Sequence, residues 1–307
     1  MNQRGVWRVA HLSDLHIGLL SGQLRDWLSK GLIAQVNYLL QVNRGYNLSV
    51  LRALPSFLNS LSVDVVLISG DFTTAGSDRE LRYAREFIDE LRAANFICLY
   101  VPGNHDHYSR RQLESGYYGE LYPQMSLERD GDLYNARFER RTLRRGDNDW
   151  DIWLLDQTGP TSWLSSNGCF EERTTGQLQT AQSQARNPAK NSLICGHFPL
   201  HNSRYGYRRL LGREALADAL GERRENRLYA HGHTHQFHIV DERPQRGLVT
   251  VDAGSSTFKG SGGFNIYELG PQNAVIYRYQ RAQDSHSVKW LPSQAFEWSW
   301  EPEGKSP

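Results

Sequence analysis

Short apolar runs, each broken by a polar, glycine-bearing step, punctuate the first two thirds of the chain, with helical periodicity between them. The runs VWRVAHLS, VDVVLIS, FICLYVP, SLIC and RLYAH are β-branched or aromatic and short. They predict strands at residues 6–12, 63–69, 96–101, 191–195 and 227–230. Leu81, Ala84, Ile88 and Leu91 recur at helical spacing behind Ser77-Asp78-Arg79-Glu80, a capping box that fixes where that helix starts. Further helices are predicted at 175–186 and 213–220, and alternating runs at 133–139 and 150–156 predict a hairpin about a polar turn from Arg144 to Asp149. Residues 237–280 carry only strand patterns (FHIVDE, GLVTVDA, GFNIYEL, AVIYRYQ), so a strand-rich part is expected to pack behind the alternating β/α part.

This pattern reads as a single interleaved α/β domain over residues 1–280, with one insertion at about 20–48 and a C-terminal tail, 281–307, whose tryptophans Trp290, Trp298 and Trp300 follow no period. Within the insertion Leu24, Trp27, Leu28, Ile33, Val36, Leu39 and Leu40 gather near one helical face, with Arg25, Lys30 and Arg44 at its polar edge. Such a face either packs on the domain's own core or forms an apolar lid that meets lipid or acyl chains.

Lysine and arginine number 35 against 34 acidic residues in 307, so no global field recruits nucleic acid, and a DNA or RNA substrate is not expected. The first residues lack the basic-then-apolar order of a signal peptide, and no uncharged apolar run approaches the length of a membrane span. Three widely spaced cysteines, Cys98, Cys169 and Cys195, suit thiols in a reducing compartment, and a cytoplasmic location is expected. No obligate protein partner is evident.

Chemistry gathers where the strands end. Asp14-Leu15-His16, Gly70-Asp71, Gly103-Asn104-His105-Asp106, Gly196-His197 and Gly232-His233-Thr234-His235 each follow one of the apolar runs, so scaffolded loops hold them. Carboxylate and amide oxygens suit hard divalent ions, and the imidazoles bias the set toward manganese, iron or zinc rather than calcium. A carboxylate can bridge two such cations while reducing their repulsion, the requirement of two-metal hydrolysis.

The set DLH, GD, GNHD, GH and GHTH, in this order and spanning residues 10 to about 255, resembles the calcineurin-like metallophosphoesterase family. The resemblance implies an α/β sandwich of two mixed β-sheets flanked by helices. It implies that Asp14, His16 and His235 bind one metal ion, that Asn104, His197 and His233 bind the other, and that Asp71 bridges them. His105 then stabilises charge on phosphorus or protonates the leaving oxygen, and Asp106 orients a histidine. Two divalent ions are implied, with manganese expected and iron or zinc as alternatives. Attack on phosphorus would be in line, without a phosphoenzyme.

The insertion after DLH, with the GDFT, PGNHD, HFPL, LYAHGHTH and DAGSS segments, is also similar to chlamydial-type UDP-2,3-diacylglucosamine pyrophosphatases of lipid A synthesis. That likeness implies hydrolysis of a nucleotide-sugar lipid to UMP and 2,3-diacylglucosamine 1-phosphate, with peripheral contact on the cytoplasmic face of the inner membrane. Trp27 on the apolar face and Arg204, Arg208 and Arg209 after the His197 loop are the candidate substrate contacts. The alternatives are a cyclic-nucleotide or general phosphodiesterase and, because ligand loss occurs in this family, a non-catalytic scaffold; the intact ligand set argues against the latter. His11, His107, His201, His231 and His238 read as structural or supporting histidines, and the arginine run Arg137, Arg140, Arg141, Arg144 and Arg145 as a solvated hairpin or a phosphate grip.

Overall fold

The computed structural model describes residues 5–19, 45–106, 116–122, 128–130, 133–135, 137–159, 166–201, 209–221, 226–260, 262–282 and 288–299. The chain runs β1 (Trp7–Leu12), α1 (Ser49–Ser60), β2 (Val65–Ile68), α2 (Asp78–Ala93), β3 (Ile97–Tyr100), α3 (Gly116–Leu121), β4 (Glu128–Asp130) and β5 (Leu133–Asn135). It continues with β6 (Phe138–Arg145), β7 (Asn148–Leu155), β8 (Gly168–Cys169), α4 (Glu172–Ser183), β9 (Asn191–Cys195), β10 (Leu210–Leu211) and α5 (Arg213–Gly221). The remaining elements are β11 (Asn226–His231), β12 (Phe237–Asp241), α6 (Arg243–Arg246), β13 (Leu248–Ala253), β14 (Gly263–Leu269), β15 (Asn273–Arg281) and β16 (Trp290–Ser299).

Two six-stranded sheets result, ordered β16-β15-β14-β1-β2-β3 and β12-β13-β11-β9-β7-β6. Both are mixed. In the first, β1, β2 and β3 are parallel and β14, β15 and β16 extend them antiparallel; in the second, β7, β9, β11 and β13 are parallel between antiparallel β6 and β12. The strand-rich C-terminal part therefore does not pack behind the rest. It divides, β12 and β13 completing one sheet and β14 to β16 the other, because each β/α half leaves an open edge whose backbone groups need partners.

Burial follows the pleat. Along β7, β9 and β11, Ile152, Leu154, Leu193, Cys195, Leu228 and Ala230 enter the core shared by the two sheets, while Trp153, Leu155, Ile194 and Tyr229 face the layer holding Leu178 of α4 and Leu216 and Leu220 of α5. On the outside of the first sheet α1 buries Val50, Leu51, Leu54 and Leu58, and α2 buries Leu81, Ala84, Phe87, Ile88 and Leu91. The Ser77–Glu80 capping box forms as predicted. The hairpin turn is tighter than expected: β6 and β7 pair out to Arg145 and Asn148, leaving Gly146-Asp147 as the turn, because Arg144 and Asp149 sit opposite each other with an ion pair of 2.7 Å.

The tail supplies β16, an edge strand that buries Trp290 and Trp298. Among the described residues no helix is long and apolar enough to cross a membrane. Residues 20–44, with Trp27 and most of the predicted lid, lie outside the described residues, as do Arg204 and Arg208.

Candidate metal centre

The loops that leave β1, β2, β3, β9 and β11 at their C-terminal ends meet along one edge of the sandwich. The parallel ladders continue past the strands, with Asp14 N–H donating to the Gly70 carbonyl (3.0 Å), His16 N–H to the Asp71 carbonyl (3.0 Å) and Gly232 N–H to the His197 carbonyl (3.1 Å). Two contacts then tie one sheet to the other: His197 Nδ1 meets the Ser69 carbonyl at 2.7 Å, and His233 N–H donates to Asp14 Oδ2 at 3.0 Å. Eight described non-glycine residues have positive φ, and five of them are Asp14, His16, Asp71, His233 and His235. Each such residue costs about 1 kcal/mol or more, so the fold spends strain where side chains must turn inward together.

Two glycines make the approach possible. A Cβ on Gly103 would stand 2.2 Å from Asp71 Oδ1, and one on Gly232 would stand 1.9 Å from Ser13 Oγ and 2.3 Å from Asp14 Oδ2. These positions must be bare for the carboxylates to reach the centre.

Three overlapping groups of donors converge: Asp14, His16 and His235; His16, Asp71 and His105; and Asp71, His197 and His233, the ligand atoms of each lying within 4.8 Å of one another. Asp71 Oδ2 stands between the two ends, 3.3 Å from His197 Nε2 and 3.9 Å from His16 Nε2. At one end His235 Nε2 lies 3.0 Å from Asp14 Oδ1 and 2.9 Å from His16 Nε2. At the other, Asn104 Oδ1 and His233 Nδ1 lie 3.2 and 3.3 Å from His197 Nε2. His233 Nε2 is buried with no hydrogen-bond partner, and Asp14 Oδ1 is buried against the His235 and His16 imidazoles. A buried imidazole nitrogen left without a partner, beside buried carboxylates and among nitrogens that face one another, belongs to a donor set shaped for cations rather than for itself.

Burial alone would raise the carboxyls of Asp14 and Asp71, yet both are held well below the ordinary range, Asp14 by His235 and His16 and Asp71 by His197 and His105. Asp71 in turn lifts His197 to about 9 against the cost of burial. Burial pushes His105 down to about 4 and, with the His197 charge, His233 to about 3. Anionic oxygens and neutral imidazoles are the forms that ligate metal, so a bound ion would take the place of the proton that Asp71 favours on His197.

His105 is held on two sides: its backbone N–H donates to Asp71 Oδ1 (2.7 Å), and its ring Nδ1 meets the Thr74 carbonyl (2.9 Å), which as donor there makes Nε2 the basic nitrogen of the neutral ring. Among the described residues Asp106 has no hydrogen bond to a histidine ring. Its Oδ1 accepts from Thr73 N–H (2.9 Å) and Thr73 Oγ1 (3.0 Å), and its Oδ2 from Gly103 N–H (2.8 Å) and the Tyr122 hydroxyl (2.8 Å). Donors occupy both oxygens, the Thr73 hydroxyl sharing its one proton with the His105 carbonyl (2.8 Å), so this carboxylate braces the turn carrying Asn104 and His105. Burial and the Asp71 charge push it up to about 6.

A match to the calcineurin-like phosphoesterase family model covers residues 8–237. The chain belongs to that family. It is 25% identical over 179 residues to a probable glycerophosphodiester phosphodiesterase, GpdQ, of Arcobacter nitrofigilis; the match takes in 56% of this chain and 57% of that protein, little more than half its length. Two solved structures share the fold: a dimetal phosphatase from Danio rerio (TM-score 0.63, 16% identity, 97% of this chain and 100% of the other) and the purple acid phosphatase PPD1 of yellow lupin (TM-score 0.56, 13% identity, 97% and 54%). The family, with the His and Asp clusters described above, implies a dinuclear divalent metal site.

Beyond the nest lie the arginines that the sequence singled out. Arg209 is exposed, and its backbone pairs with Asn167 and Gly168. The arginine run is spent within the protein: Arg140 pairs with Asp151, Arg141 with Glu139, Arg144 with Asp149 and Arg145 with Asp64, while Arg137 donates to the Cys169 carbonyl. Tyr46, at the described end of the insertion, had no signal of its own in the sequence. Its ring lies 4.8 Å from His16 and 6.3 Å from His235, at the mouth of the centre.

Proposed function

We propose that this chain is a metal-dependent hydrolase of phosphodiesters or pyrophosphates. One observation carries the reading: Asp71 lies within ligand reach of both ends of a seven-residue donor set, with His105 anchored beside it. Asp14, His16 and His235 would hold one divalent ion, and Asn104, His197 and His233 the other, with Asp71 shared. Bound there, the pair supplies positive charge to the phosphoryl oxygens and lowers the pKa of water. The chain's own residues do the rest. His105, fixed through Thr74 and Asp71, offers Nε2 to the phosphoryl group or the leaving oxygen. Asp106 keeps its turn in register, and Tyr46 walls the His16 end.

Within this class the insertion, read as a lid over the site, and the GDFT, PGNHD, HFPL, LYAHGHTH and DAGSS segments favour UDP-2,3-diacylglucosamine as substrate, with manganese and with peripheral membrane contact. The phosphodiesterase relative favours a glycerophosphodiester or another simple diester. Purified protein loaded in turn with manganese, zinc and magnesium should be offered the diacylated UDP-sugar, a glycerophosphodiester, cyclic AMP and a phosphomonoester. Turnover of a diester or pyrophosphate, abolished by chelation and by Asp71→Asn, is expected. Preference for the diacylated sugar supports the lipid reading, preference for simple diesters replaces it, and a loaded protein inert toward every substrate overturns the class.

A further inference from the structure

Three histidines outside the dinuclear nest meet one another. His201, His231 and His238 have ring centroids 5.7 to 5.9 Å apart, and one ring nitrogen of each lies within 4.8 Å of the other two. They come from three segments, the loop after β9, the end of β11 and the start of β12, and no local pattern joins them.

Their hydrogen bonding decides which nitrogens are on offer. His231 is fully buried; its Nδ1 meets the Gly232 carbonyl at 3.1 Å and lies 3.4 Å from the Asp252 carboxylate, while its Nε2 has no partner. A histidine whose Nδ1 side is held by a carbonyl and a carboxylate presents Nε2 as the lone pair, the arrangement that orients metal-binding histidines. Asp252 is itself fixed, accepting from Thr234 Oγ1 (2.6 Å) and Gly254 N–H (2.7 Å). His238 Nδ1 is likewise 3.2 Å from the Gln236 carbonyl, which directs its Nε2 outward from that bond. The Thr250 hydroxyl lies 3.5 Å from His201 Nε2, too far for a strong hydrogen bond. A buried imidazole nitrogen left without a partner is unfavourable unless something binds it.

We propose that His201, His231 and His238 form a mononuclear site for zinc or a neighbouring first-row divalent ion, additional to the dinuclear nest. Three imidazoles leave the fourth tetrahedral position to water or a small anion. Binding would pin the three segments that also carry His197, His233 and His235, since His201 follows His197 by four residues, His231 precedes His233 by two and His238 follows His235 by three. The site thereby acts as a positioning clamp.

The test uses the full chain equilibrated with zinc and freed of excess metal. Metal analysis of His201→Asn and His238→Asn should find one zinc fewer per chain than the parent, with the remaining zinc unchanged. Equal zinc in parent and both variants overturns the proposal. Should either variant misfold, zinc-edge anomalous diffraction from the unaltered chain decides: a peak among the three rings is expected, and density confined to the nest overturns it. Neither readout depends on the chain having hydrolytic activity, so failure here and failure of the proposed function are separable.

Discussion

Replacing Asp106 asks whether a single buried carboxylate holds the turn that carries Asn104 and His105. Its two oxygens meet four donor groups, the Thr73 N–H and hydroxyl, Gly103 N–H and the Tyr122 hydroxyl, at 2.8 to 3.0 Å, the Thr73 hydroxyl being shared with the His105 carbonyl. Tyr122→Phe removes one donor and leaves the carboxylate three, so it should cost about 1–2 kcal/mol, the lower part of the range for a hydrogen bond to a charged group. Asp106→Asn is harsher, because an amide offers one acceptor oxygen and turns its own N–H₂ toward two donors. At about 1–3 kcal/mol for each opposed buried donor the loss is about 2–6 kcal/mol, against a total stability on the order of 5–15 kcal/mol. Urea unfolding of the metal-stripped protein measures both. The double variant should lose less than the sum by at least about 1 kcal/mol, since the Tyr122 bond is already compromised. Stability of Asp106→Asn within about 0.5 kcal/mol of the parent, or full additivity, refutes the bracing role.

Other outcomes follow from the same contacts. His105→Ala should keep both metal ions, by metal analysis, and lose on the order of 10²–10⁴-fold in turnover, whereas normal turnover removes His105 from the chemistry. Gly103→Ala drives a methyl group into Asp71 and should weaken metal binding at least about tenfold by titration, with unchanged affinity contradicting the close approach. Glu80 is buried in the first turn of α2, and burial pushes its carboxyl from 4.5 up to about 7. The folded state thus binds a proton that the unfolded chain has released. Its stabilisation is complete below pH 4.5 and lost as pH rises through about 7, to a limit of about 3 kcal/mol. The stability difference between the parent and Glu80→Gln should therefore shift by that order from pH 4.5 to pH 8, and a difference independent of pH would count against it.

What the sequence disclosed was local. The strand runs and the Ser77–Glu80 box are set by near neighbours, so β1, β2, β3, β9, β11 and α2 fall where the pattern puts them. The motif residues were legible because each sits within four positions of the end of an apolar run. Long-range choices were hidden: nothing in the four strand patterns after residue 237 says which sheet each joins, and the ion pair from Arg144 to Asp149 lengthens a hairpin that polarity alone would end. β16 escaped notice because an edge strand needs little inward periodicity. A register shift interrupts its pairing beside Pro292, and Trp290 and Trp298 alone are fully inward. The left-handed backbone at five motif residues leaves no trace in residue type beyond a preference of Asp and His for that region. His201, His231 and His238 are scattered over 38 positions and read singly as supporting histidines; only the fold makes them neighbours.

Crystals of the chain grown with manganese and measured on both sides of its absorption edge test the central claim most directly. Two anomalous peaks about 3.5–4 Å apart are expected, the usual spacing of paired catalytic ions, with Asp71 touching both, Asp14, His16 and His235 around one, and Asn104, His197 and His233 around the other. A single peak, or two that do not share Asp71, would contradict it.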